Sequence, residues 1–231
     1  MCFTSTASFI TSGFLIAGGV YGLQRALKTD HRYCAMAVMP IAVGVQQAME
    51  GLAWIGAEQN MPELLSHAAL FYMAFVWCFW PCWTAFMTAR LEPNEGKKRL
   101  LLRLSLAGLL FGLMLYLPYF WHPDWLRPTI MKHSLLYATT LLPDFIVPRG
   151  ITSLVYLFFI AAPPLLSSHV RVRRFGLYLM VFVPLTYLFF AYAYISVLCF
   201  FAALMTMDLI AIIARDCCGN TKKYTEGLIS G

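Results

Sequence analysis

The chain has 231 residues, 60% of them hydrophobic and 12% charged, with a mean hydropathy of +0.69 and a net charge of +6. A soluble domain is roughly 45–50% apolar and about 25% charged, so composition excludes an ordinary soluble globule and points to a multi-pass membrane protein. The basic residues fall in short clusters between apolar runs, not along one stripe, which excludes a nucleic-acid-binding surface and reads as orientation signal.

Seven spans are expected, each near the roughly 20 apolar residues that a bilayer crossing needs. The first runs from Ala7 to Leu27, the second from Cys34 to Gly56, the third from Leu64 to Ala89 and the fourth from Leu100 to Phe120. The fifth is Ile151 to Ser168, the sixth Phe175 to Tyr194 and the seventh Ser196 to Ala214; the last two divide an uncharged run twice as long as one helix requires. Of the 17 Lys and Arg residues, 14 lie on one side of this arrangement and only Arg127, Lys132 and Arg149 on the other. The positive-inside rule then places the N-terminus outside and the C-terminus in the cytoplasm. No cleavable signal peptide is expected, because no basic region precedes the first apolar run.

The longest outer segment, Trp121 to Gly150, mixes Trp, Pro and charge and reads as an interfacial lid with one short helix around Thr129 to Leu141. Residues 1–215 form one transmembrane domain on this reading, and Asp216 to Gly231 a polar cytoplasmic tail. The seven cysteines, Cys2, Cys34, Cys78, Cys82, Cys199, Cys217 and Cys218, follow no disulfide framework.

The second span carries the most informative stretch, Gly44-Val45-Gln46-Gln47-Ala48-Met49-Glu50-Gly51-Leu52-Ala53-Trp54. Gln47, Glu50 and Trp54 are spaced i, i+3, i+7 and share a helical face. An ionisable group at that depth costs about 2.5–3.5 kcal/mol on insertion scales, so it faces protein or water and has a partner.

Several motifs together resemble an uncharacterised family of bacterial multi-pass membrane proteins that open Met-Cys-Phe-Ser-Ala-Thr. They are Met1-Cys2-Phe3-Thr4-Ser5-Thr6 at the start, Gln46 to Trp54, Phe79-Trp80-Pro81, His133 to Tyr137, Leu165 to His169, and Ser196 to Ala203. The chain departs at Thr4-Ser5, where the family has Ser-Ala, and at Gln46, where some relatives have His. The resemblance implies a membrane fold and localisation in a bacterial cytoplasmic membrane. It implies no reaction.

With the N-terminus outside, Cys2, Gln47, Glu50, His67, His133 and Cys199 all fall at the level of the outer leaflet. Glu50 lies roughly 9 Å from the outer end of its span, at 1.5 Å per residue. Glu50, His67 and His133 are therefore the catalytic candidates; Gln46, Gln47, Glu50, Trp54 and His133 are the ligand-binding candidates. Cys2, His67 and Cys199 are the candidate metal ligands, since thiolate and imidazole suit Zn or Cu(I). Each has a structural alternative: Glu50 as a carboxylate pinning two helices, His67 as an interfacial histidine, and Cys2 with Cys199 as a disulfide staple in an oxidising compartment. Cys78 and Cys82 read as apolar packing, and Asp208 as a structural group paired at the cytoplasmic interface. Retinal is excluded as cofactor, because no lysine lies within a span to form the Schiff base. Two functions remain open. One is a polar site in the outer half of the bundle that binds a small ligand, lipid head group or metal. The other is a non-catalytic accessory subunit of a membrane complex, its partners being lipids and other membrane proteins.

Overall fold

The computed structural model describes residues 4–131 and 134–189. Cys2, His133, Cys199, Asp208, the predicted seventh span and the tail lie outside the described residues. Six α-helices and one β-hairpin make up the described chain. Helix α1 is Ser5–Thr29, α2 is Cys34–Glu58 and α3 is Pro62–Leu91, whose middle, Phe75–Phe79, is a π-helix. Helix α4 is Glu95–Tyr116, with a 3₁₀ extension over Leu117–Phe120; α5 is Arg149–Leu166 and α6 is Val170–Phe189. Four helical segments are long and apolar enough to cross a membrane: Ser5–Thr29, Pro62–Leu91, Glu95–Phe120 and Arg149–Leu166. Helix α2 is 25 residues long, but Gln46, Gln47 and Glu50 lower its hydropathy. It is nonetheless the central element, with 15 of its 25 residues buried against 6 of 25 in α1.

Local chemistry sets the helix ends. Thr4 caps α1 by accepting the Ala7 N–H at 3.2 Å, and Asn94 caps α4 by accepting the Lys97 N–H at 3.0 Å. Helix α2 ends at Asn60, whose φ of 55° is the left-handed conformation that Asn adopts more readily than most residues. The Met61 N–H then closes back on the Gly56 carbonyl at 2.8 Å, a Schellman-type stop, and Pro62 opens α3.

The π segment of α3 has a cause and a partner. Pro81 has no N–H, so the Trp77 carbonyl loses its α-helical donor. Helix α4 presents Gly108 and Gly112 there. A Cβ at Gly112 would lie 2.2 Å from the Trp77 oxygen and one at Gly108 2.3 Å from the Pro81 oxygen, so only glycine permits this approach. The Gly-x-x-x-Gly spacing lets two apolar helices meet backbone to backbone.

Trp121 to Gly150 corrects the expected short helix around Thr129 to Leu141. It holds a hairpin, β1 Leu126–Met131 and β2 Ser134–Thr139, antiparallel with Leu126 opposite Thr139 and Met131 opposite Ser134. Pro128 suits the edge of a two-stranded ribbon. Leu135 and Tyr137 alternate inward, the period of a strand, which the mixed composition of the segment obscures.

Two apolar clusters fill the bundle. One joins the N-terminal half of α2 to Met87 and Leu91 of α3, Ile160 of α5 and Phe175 of α6. The other joins Trp54 of α2 to Tyr72 and Trp77 of α3, Leu115 of α4, and Leu126, Leu135 and Tyr137 of the hairpin.

Three short connections, flanked by 11 of the 17 Lys and Arg residues, meet at one end of the bundle. Tyr33 packs edge-on against His169, with ring centroids 6.4 Å apart. Glu92 accepts the Ser168 N–H at 2.8 Å, and Lys97 Nζ donates to Ser168 Oγ at 3.1 Å. Burial works against the charge of Glu92, but the hydrogen bonds from Ser168 and Asn94 and the nearby Lys97 outweigh it and hold the carboxyl below its ordinary value.

Candidate functional site

The polar stretch of α2 is built on its seam with α1. Buried positions in α1 are Ser8, Ser12, Leu15, Gly19, Gly22 and Ala26, alternating by four and three along one stripe of mostly small residues. Against it α2 sets glycines: a Cβ at Gly44 would lie 2.6 Å from Ile16 and 3.0 Å from the Ser12 carbonyl, and one at Gly51 2.9 Å from the Phe9 ring. The helices can close because the glycines of α2 leave room for Ile16 and the Phe9 ring of α1, and this brings α1 against α2 where Gln47 and Glu50 lie.

Gln47 and Glu50 have no solvent exposure at all, and Gln47 Nε2 donates to Glu50 Oε2 at 3.2 Å. Gln46 is equally buried, and its Oε1 accepts the Trp80 indole N–H at 2.9 Å, tying α2 to α3. Trp54 is buried one turn above Glu50, in the cluster beneath the hairpin. Gln46, Gln47, Glu50 and Trp54 are all engaged with neighbours, and none is without a partner.

Over this end of α2 sits the hairpin. Tyr137 stacks on Tyr72 of α3, with centroids 4.8 Å apart and ring planes within 8°, and Leu135 and Leu126 fill in beside Trp54. The hairpin thus covers the Trp54 end of α2, and it is built from strands.

Two members of this neighbourhood are not evident from the sequence reading. Trp80 fixes the Gln46 side chain. Ser8 lies beside Phe9 on the buried face of α1, at the level of Gly51, and its Oγ is buried without a hydrogen-bond partner among the described residues. The signal for Ser8 was its i, i+4 spacing with Ser12 on the small-residue stripe, which marks a helix-facing hydroxyl.

The other candidates divide differently. His67 is exposed, and its Nδ1–H donates to the Glu63 carbonyl at 2.8 Å; it is not bonded to Glu50. Ala68, Ala69 and Tyr72 carry the buried face of that part of α3 instead. Cys78 and Cys82 are free thiols; Cys82 Sγ lies 3.3 Å from Ser105 Oγ. Among the described residues no group of three or more His, Cys, Asp and Glu is placed to hold a metal ion. The remaining metal candidates, Cys2 and Cys199, and the ligand candidate His133 lie outside the described residues.

In this arrangement Gln47 fixes one oxygen of the Glu50 carboxyl. The arrangement offers no nucleophile beside a base and no phosphate-binding loop among the described residues.

No curated protein and no solved structure matches the chain. A family profile does, across residues 1–223, so nearly the whole bundle and the polar stretch of α2 fall within it. The chain belongs to that family, described as a family of unknown function, DUF6629.

Proposed function

We propose that this protein is a seven-span membrane protein of a bacterial cytoplasmic membrane, N-terminus outside. Its Gln46–Gln47–Glu50 stretch forms a polar site, closed by the hairpin, for a small ligand, lipid head group or metal. The observation that carries the reading is Glu50: a carboxylate with no solvent exposure, on the most buried helix, held by Gln47. Intramembrane ionisable groups are costly and favour functional positions. Support for the orientation comes from the 14-to-3 division of basic residues and from the shared end at which their connections meet.

Glu50→Gln tests the site. The substitution keeps size and hydrogen-bonding capacity but removes the ionisable group. The expected outcome is a variant that folds, with a melting temperature in detergent close to the parent's, yet loses whatever ligand or ion co-purifies, as read by native mass spectrometry and elemental analysis. Unchanged bound material would refute the site. Outright unfolding would make Glu50 part of a structural pair, since breaking such a pair costs about 3–5 kcal/mol. A C-terminal reporter fusion active only in the periplasm would reverse the orientation.

The complete burial of Gln47 and Glu50 also favours a second reading, an accessory subunit of a larger membrane complex in which the polar stretch serves only to fix α1, α2 and α3. An unchanged phenotype in Glu50→Gln selects it.

A further inference from the structure

The face of α4 turned away from α3 carries a feature that the proposed site does not use. Ser105, Gly108 and Gly112 are buried against α3. On the opposite face Arg99, Arg103, Leu106, Leu110, Met114 and Leu117 follow one another at spacings of four and three, and all are exposed. The stripe is apolar for most of its length and ends in two arginines. Among the described residues neither guanidinium has an ion-pair partner, because the acids of this end are engaged elsewhere. Glu95 pairs with Lys98 at 3.0 Å, Glu92 accepts the Ser168 N–H at 2.8 Å, and Asp30 pairs with Arg32 at 2.7 Å.

Depth gives the arginines their meaning. If Glu95–Phe120 crosses a bilayer, Phe120 and Trp121 stand at one interface, where aromatic side chains gather. From Phe120 back to Arg103 the chain rises about 27 Å, at roughly 2.0 Å per residue of the 3₁₀ turn and 1.5 Å per residue of the α-helix. The hydrocarbon core is about 30 Å thick. Arg103 therefore starts about 3 Å inside the far edge of the hydrocarbon, and Arg99, about 6 Å further on, starts about 3 Å outside it. Side chains of an α-helix lean toward its N-terminus, which here is the same edge. Both guanidinium groups can thus reach the level of the lipid phosphates while their stems stay on the apolar stripe.

Charge selects the occupant. Guanidinium pairs with phosphate through two parallel hydrogen bonds. A second copy does not suit this face: a twofold axis along the bilayer normal holds equal residues at equal depth, so an α4–α4 contact would set arginine against arginine.

We propose that Arg99 and Arg103 form a binding site for the phosphate of one anionic phospholipid, whose acyl chains lie along Leu106 and Leu110. The proposal rests on the membrane-spanning reading but not on the Glu50 site.

Lipid titrations followed by native mass spectrometry test it, on the full chain in detergent with phosphatidylglycerol or phosphatidylcholine added. An arginine near anionic lipid contributes about five-fold, so the pair should favour phosphatidylglycerol by roughly 30-fold. The double variant Arg99→Gln/Arg103→Gln is expected to lose that preference. Arg173→Gln/Arg174→Gln, which changes two exposed arginines of α6, is expected to keep it. Equal binding of the two lipids by the parent overturns the proposal and leaves the membrane reading intact. A preference lost equally in both double variants overturns it in favour of diffuse charge. A preference that fades with rising protein concentration overturns it in favour of a second copy. Displacement by glycerophosphoglycerol at equal concentration, the head group without its chains, overturns a lipid as the occupant. Recovery of the protein in the soluble fraction, seen before any titration, overturns the membrane reading as well. Should the α4 double variant fail to fold, Arg99→Gln alone decides, with an expected loss of about five-fold.

Discussion

At the end of the bundle flanked by most of the basic residues, separate segments are joined by single polar contacts, Glu92 to the Ser168 N–H and Lys97 to Ser168 Oγ, with Tyr33 set edge-on against the His169 ring. At the other end a hairpin lies over α2 and α3 and is joined to them by area: Tyr137 flat on Tyr72, with Leu126 and Leu135 beside Trp54. A contact made by charge responds to pH and salt; a contact made by ring area does not. The first kind ties short loops whose positions the helices already fix. The second must hold a segment that has no helix of its own, and it needs the larger energy.

Three measurements can break or sharpen this contrast. The largest effect is expected for Tyr137→Ala, which removes a ring only 4% exposed. Deleting a buried aromatic costs about 3–5 kcal/mol, so thermal unfolding in detergent should shift down by many degrees. An unshifted transition would mean that the hairpin is not held by this ring.

Glu92→Gln comes next, at about 1 kcal/mol, the usual net worth of a hydrogen bond. The more telling readout is pH. Glu92 has a folded-state value below its ordinary 4.5, so its contribution is complete above that pH and fades as the pH falls through 4.5 toward the folded value. The parent should therefore lose stability below about pH 4.5 more steeply than Glu92→Gln. Parallel profiles would remove Glu92 from the account.

The smallest effect belongs to the exposed Lys98–Glu95 pair at 3.0 Å. Lys98→Ala should change stability by less than about 1 kcal/mol, and added salt should erase the difference. A larger, salt-resistant change would show that this end is more than a set of solvated contacts.

The helices were legible because their limits are written in local chemistry: apolar runs broken by charge, by Asn60-Met61-Pro62, and by the capping residues Thr4 and Asn94. The polar face of α2 was legible for the same reason, since Gln46, Gln47 and Glu50 interrupt an apolar run. The partners of that face were not. That Trp80 reaches Gln46 follows from how α3 is rotated, and that Ser8 faces α2 follows from glycines on both helices; neither is a property of one segment. The hairpin was missed because its strands are short and its inward residues, Leu135 and Tyr137, are too few to establish a period against the surrounding Trp and Pro. His67 was drawn into the site by depth alone, and depth says nothing about which side of a helix a residue occupies.

The π segment of α3 has one more consequence. Each residue of an α-helix turns the chain by about 100°, and a π segment takes up one extra residue within a turn. Phe75–Phe79 therefore acts as a phase adjuster between two half-helices: the upper half aims Tyr72 at the hairpin, and the lower half aims Trp80 at Gln46 and Thr84 at the Phe159 carbonyl. Removing one residue there would leave a regular α-helix with both halves on their present bearings. The same one-residue change elsewhere in α3, where no π turn absorbs it, would rotate the lower half by about 100° and break the hold of Trp80 on Gln46.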